Sequence, residues 1–110
     1  MKIVYNSIIP FKGFSAINLL GILFVRSEYK GRVTEKLVTH ETIHTKQMQE
    51  MLYVFFYLWY VVEWLIRLCF TWNTHEAYRK ISFEQEAYMF EDCSLYPKTR
   101  THFSWLQFLF

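Results

Sequence analysis

His40, Glu41 and His44 stand in the order His-Glu-x-x-His, so a helix through them places the two imidazoles one turn apart on one face with the carboxylate beside them. These are the residue types of metal-assisted hydrolysis. Neutral imidazole nitrogens are ordinary Zn2+ ligands, and zinc lowers the pKa of a bound water to about 7, within reach of a neighbouring carboxylate acting as general base. A catalytic zinc takes three protein ligands and keeps one position open, so a third donor is needed from elsewhere. Downstream, Glu84-Gln85-Glu86-Ala87-Tyr88 offers two carboxylates.

Helices must present these groups. Between Gly31 and Pro97 there is no further Gly or Pro, which points to helices separated only by caps and polar turns. Thr34 can cap a first helix whose inward stripe, stepped by three or four, runs Leu37, Glu41, His44, Met48 and Leu52. Glu41 and His44 occupy places where apolar residues belong, and a metal supplies the partner that such polar groups need. Ser82 with Gln85 three residues on reads as a capping box opening a helix over Phe83 to Asp92, the helix that carries the downstream carboxylates. Ahead of all this, Pro10, Gly13, Gly21 and Gly31 punctuate β-branched and aliphatic segments, Ile3 to Ile9 and Ala16 to Val25, which predict two or three short strands. The aromatic tail from Thr101 to Phe110 is expected to pack back on the core.

The apolar run from Met51 to Phe70 is long enough to cross a bilayer, with Glu63 and Arg67 as its only charges. Two charges fit a span poorly, so the run is read as buried or membrane-facing, with its aromatic residues mainly core. An unbroken helix from His44 to Phe70 would carry the chain about 39 Å from the imidazoles, and a helical return from Phe70 covers only about 21 Å. A shared site for His44 and Glu84 therefore requires a break in the run or an extended return, with the apolar segment folded against the His-bearing helix.

At 110 residues the chain predicts one domain over 1–110 with a modest core. Apolar residues make up 53% and aromatics 21%, an excess that must face a partner, a ligand or lipid. Twelve basic and ten acidic residues, net +2, are mixed along the chain without a block that would track a phosphate backbone, so no nucleic-acid partner is expected. Arg26, Lys30, Arg32 and Lys36 read as a solvated loop and helix start. Cys69 and Cys93 have no Cys-x-x-Cys partner and read as small buried hydrophobes in a reducing compartment. Lys2 and Lys12 precede an apolar run, but Ser15, Asn18 and Gly21 interrupt it and no small-residue cleavage site follows. The reading is no signal peptide and a cytoplasmic chain, with membrane association open.

His40-Glu41-Thr42-Ile43-His44 followed by Glu84-x-x-Ala87 resembles the gluzincin metallopeptidases, especially the membrane-linked branch with the CAAX prenyl proteases and heat-shock membrane proteases. The resemblance implies His40, His44 and Glu84 as zinc ligands, with Glu86 as the fallback, and Glu41 as general base. In that branch an Asp four residues after the ligand Glu supports a metal-bound His; here the position is Tyr88, whose phenol can hold the hydrogen bond without charge. Ser15 to Val25 is similar to the strand region where that branch binds extended peptide by β-augmentation.

The expected fold is α+β, mainly α: a short N-terminal β-hairpin or small sheet, then three to four helices carrying the metal site. The expected function is zinc-dependent hydrolysis of a peptide or protein substrate. His75, Tyr78, Arg79 and His102 are the candidate oxyanion donors. Two alternatives are a metal-binding pseudoenzyme or small scaffold, motivated by Tyr88 in the expected Asp position and by the small size, and a membrane-associated interaction protein that uses the aromatic segment 51–70 against a membrane surface or protein partner.

Overall fold

The structure, a computed structural model, describes residues 1–10 and 14–109, so Lys12, Gly13 and the last residue of the tail lie outside the described residues. Three strands, β1 (Lys2–Asn6), β2 (Ala16–Leu19) and β3 (Ile22–Arg26), form a sheet in the order β1-β3-β2. β3 pairs parallel to β1 and antiparallel to β2. The segment Ala16 to Val25 is thus a hairpin, turned at Leu20 and Gly21, which both have positive φ. Glycine fits this turn twice over: its φ of +87° suits no side chain, and a Cβ there would stand 3.2 Å from Thr45 Cγ2.

The helices follow: α1 (Glu35–Glu50), α2 (Val54–Thr71), α3 (Thr74–Lys80), α4 (Ser82–Phe90) and the short α5 (Tyr96–Thr99), with 3-10 turns over Ser27–Arg32 and Ser104–Phe108. The fold is α+β and mainly α, as the sequence implies. Thr34 caps α1 as expected, its Oγ1 accepting from Leu37 N. The inward stripe of α1 holds as far as Met48, but Leu52 is exposed because the helix has already ended at Glu50.

The core gathers Met48, Phe56, Ile81, Phe83 and Trp105, with Phe83 stacked on Phe56 at 4.5 Å and edge-on to Trp105 at 4.7 Å between ring centroids. Trp105 brings the tail back onto α4, as expected of its described residues. Further sequence expectations fail: Arg26, read as part of a solvated loop, is buried at the end of β3 and donates to Pro10 O. Cys69 and Cys93 are exposed, one on the outer side of α2 and one in the turn after α4. The capping box does not form: Ser82 lies inside α4, its Oγ and N both donate to Glu63 of α2, and Gln85 Nε2 turns to Lys80 O. A buried carboxylate from another helix outcompetes the local box because a charged acceptor makes the stronger hydrogen bonds.

Candidate metal centre

α1 buries one face, including His40, Ile43, His44, Gln47 and Met48, at the i, i+3, i+4 spacing that the core demands. The hairpin fixes its depth: Asn18 Nδ2 donates to Glu41 O and Thr45 Oγ1, and Asn18 Oδ1 accepts from Gly21 N. After α1 the chain reverses through Leu52 and Tyr53, both with positive φ, so the break lies at the start of the apolar run and α2 itself is continuous. Trp72 ends α2 in the left-handed conformation, and Asn73 Oδ1 caps α3 by accepting from His75 N and Glu76 N. α4 then returns Glu84 to α1.

The result is a triangle of donor atoms. His40 Nε2 and His44 Nε2 are each 3.1 Å from Glu84 Oε1 and 3.2 Å from each other. A tetrahedron with ligands at 2.0–2.1 Å from a zinc-sized ion has edges of about 3.3–3.4 Å, so these atoms can hold a metal ion on three corners and leave the fourth open.

Each of these groups is held from behind. His40 Nδ1–H donates to Glu91 Oε2 at 2.7 Å, and Lys36 Nζ lies 3.4 Å from the other oxygen of that carboxylate. His44 Nδ1–H donates to Gln47 Oε1 at 2.8 Å. The Gln47 amide is fixed in this sense because its Nε2 faces two acceptors, Phe83 O and Glu86 Oε1. Both histidines therefore turn Nε2 to the centre. Tyr60 O–H donates to Glu84 Oε2 at 2.6 Å, leaving Oε1 as the inward oxygen.

Three acceptors within 3.2 Å of one another require a proton or a cation among them. Burial alone would push the His44 imidazolium down, but the charge and hydrogen bond of Glu84, helped by Glu41 and Gln47, reverse this and raise it to about 9. Burial likewise works against the Glu84 carboxylate, and the charge of His44 with hydrogen bonds from both histidines holds it well below the usual range. Without metal, a proton on His44 fills the role of the cation.

Glu41 faces a cleft of about 660 Å³ lined by β2, His44, Glu84 and the aromatic side of α2. Its Oε2 is buried with no hydrogen-bond partner among the described residues. Burial pushes its carboxyl above the usual carboxylate range, the charge of Glu84 adding to this and those of His44 and His40 opposing it. A lone, destabilised carboxylate at the mouth of a donor triangle is placed to take a proton.

The other sequence candidates separate. His75 and Tyr78 line the same cleft. Tyr78 shares a 2.8 Å hydrogen bond with Tyr88 O–H, and burial with the nearby Glu84 charge raises its pKa, which keeps it a neutral donor. Arg79 lies on the ring of Tyr88, 3.7 Å from its centroid, outside the cleft lining. His102 is exposed beside Glu50, away from the cleft. Glu86 is not a ligand: two positions from Glu84 it points off the shared face, into ion pairing with Arg100 and a hydrogen bond from Tyr96. Tyr88 packs edge-on to the His40 ring at 4.5 Å, and the carboxylate on His40 comes from Glu91 instead.

Glu91 lies seven residues after Glu84, two turns along the same face, a spacing that was open to sequence reading. Gln47, one turn after His44, was also within reach. Tyr60, one aromatic among many, carries no such signal. Compared with protein-family models, curated proteins and solved structures, the chain matches none significantly.

Proposed function

We propose that the chain is a zinc-dependent peptide hydrolase. The observation that carries this reading is the donor triangle of His40, His44 and Glu84 beside the unpartnered Glu41 carboxylate at the cleft. Histidine nitrogens with one carboxylate oxygen suit zinc, which when bound supplies Lewis-acid polarisation of a carbonyl and an acidified water. Glu41 accepts the proton of the attacking water. As the new carbon–oxygen bond forms and the carbon–nitrogen bond breaks, Glu41 passes that proton to the departing amine. Tyr78 and His75 are the donors available to a developing oxyanion in the cleft.

An extended peptide suits the cleft. Arg26 N donates to Ser15 O, so odd-numbered residues of β2 pair with β3, while Asn18 O and Leu20 N on the other side meet Tyr57 O–H. By strand alternation Ala16 directs its own N–H and C=O to the free edge, beside the cleft it lines, where one substrate residue can pair with it. The pseudoenzyme reading rests on Tyr88 in the expected Asp position and on the small size of the chain; the Glu91 carboxylate on His40 supplies the charge that Tyr88 lacks, which favours the hydrolase.

The test is digestion of a broad peptide library by zinc-loaded protein and by Glu41→Gln. The reading predicts cleavage that falls about 10²- to 10⁴-fold in the variant while zinc is retained. A fully metallated chain that cleaves nothing would make it a metal-binding protein without hydrolytic activity.

A further inference from the structure

α2 is long and apolar enough, by length and composition, to cross a membrane, yet only Phe56 and Glu63 in it are buried. At 100° per residue its ten exposed positions between Val54 and Phe70 fill an arc of about 180°. Every one is apolar or cysteine: Val54, Phe55, Leu58, Val62 and Leu65 stand about half or more open to solvent, and Phe70 is 78% exposed. A helix facing water would carry charge or amide on such an arc.

The polar groups of α2 are instead satisfied on the other side. Glu63 accepts from Ser82 and from Trp59 Nε1–H, and Arg67 lies 3.6 Å from Glu63 and donates to Phe108 O. Tyr57 donates to Asn18 O, Tyr60 to Glu84, and Trp64 Nε1–H to Thr74 O. This inward pairing is what a surrounding that offers no hydrogen bonds requires.

We propose that this arc rests on a lipid bilayer, with the axis of α2 in the membrane plane and its outer half among the acyl chains. Two features select lipid over a protein partner or a second copy. A helix packed alongside covers a stripe of about 100°, little more than half of this arc. Protein interfaces also carry a hydrogen bond every 100–200 Å² or so, and this face has none to offer. The in-plane orientation follows from α3, packed along α2 with His75, Glu76, Arg79 and Lys80, which an upright helix would drag into hydrocarbon. Tyr57 O–H accepts from Leu20 N and so fastens the exposed hairpin turn to the flank of α2, bringing the strand that lines the cleft beside the membrane.

The test is flotation of the full chain with phosphatidylcholine vesicles, with and without chelator, beside Leu58→Lys/Val62→Lys. The unmodified chain is expected to float in both conditions, since the arc is uncharged and apart from the donor triangle. The double variant should partition about a hundredfold less or weaker still while binding zinc unchanged. Brominated lipid gives a second readout on the unmodified chain, quenching the exposed Trp59 and Trp72 more than the buried Trp105. A chain that stays in the dense fraction, a double variant that floats as well, or a dimer that the variant dissolves in the absence of any vesicle binding would overturn the proposal.

Discussion

Three lone pairs meet at His40, His44 and Glu84, and the way the chain fills the space between them sets how the site responds to pH. Without metal the raised pKa of His44 stabilises the fold fully below 6.5, and that contribution is lost as pH rises through about 9. Glu84, depressed, acts on the acid side: its contribution is present above 4.5 and lost as pH falls toward its lowered value. Thermal unfolding should show metal-free protein losing stability from neutral pH up to about 9, while zinc-loaded protein, which needs the deprotonated imidazole, does not. A melting temperature that rises with pH in the metal-free protein would contradict this. Glu91→Gln, which keeps shape but removes the charge behind His40, should weaken zinc about 10- to 100-fold in a competition titration, and equal affinity would show that the carboxylate does not tune the ligand. His40, Glu41 and His44 were legible in the sequence because helical pitch is local and places residues four apart together, whereas Glu84, on another helix, was reached only through the resemblance of its short motif. Of the partners behind them the sequence offered only Tyr88, because whether Tyr88 or Glu91 meets His40 depends on how α4 rotates against α1.

α4 carries Glu84, and its N-terminus is anchored by Glu63 of α2, which binds both Ser82 N and Ser82 Oγ at 2.6 Å. Ser82→Ala removes one hydrogen bond to a buried carboxylate and should destabilise the fold by about 1.5–3 kcal/mol in urea unfolding. A change within 0.5 kcal/mol would mean that the anchor is not needed. The helical two-thirds of the chain were readable from the missing Gly and Pro, and the strands from β-branched runs. The capping box was misread because a local motif says nothing of a charged acceptor nineteen positions upstream. Cys69 was misread because burial depends on which side of α2 the protein covers, and an apolar run marks both sides alike.

The donor triangle draws on α1 and α4, while Gln47 passes the arrangement on to Glu86 and Arg100, whose guanidinium also pairs with Glu50. Metal binding should therefore act on the whole fold. With zinc a hundredfold above its dissociation constant, linkage adds about 2.7 kcal/mol. At about 4 °C per kcal/mol or more for a domain of this size, the melting temperature should rise by about 10 °C and fall back with chelator. That some apolar surface must face a partner, a ligand or lipid was evident from 53% apolar residues, but the exposed arc on the outer half of α2 is visible only in the fold, where Trp59, Tyr60 and Trp64 turn their hydrogen bonds inward.

Metal content per chain, by mass spectrometry on protein purified without chelator, bears most directly on the donor triangle. It should be about one zinc per chain, lost in both His44→Ala and Glu84→Ala. No metal after reconstitution with zinc, or an unchanged content in Glu84→Ala, would mean that the three groups do not act as one site.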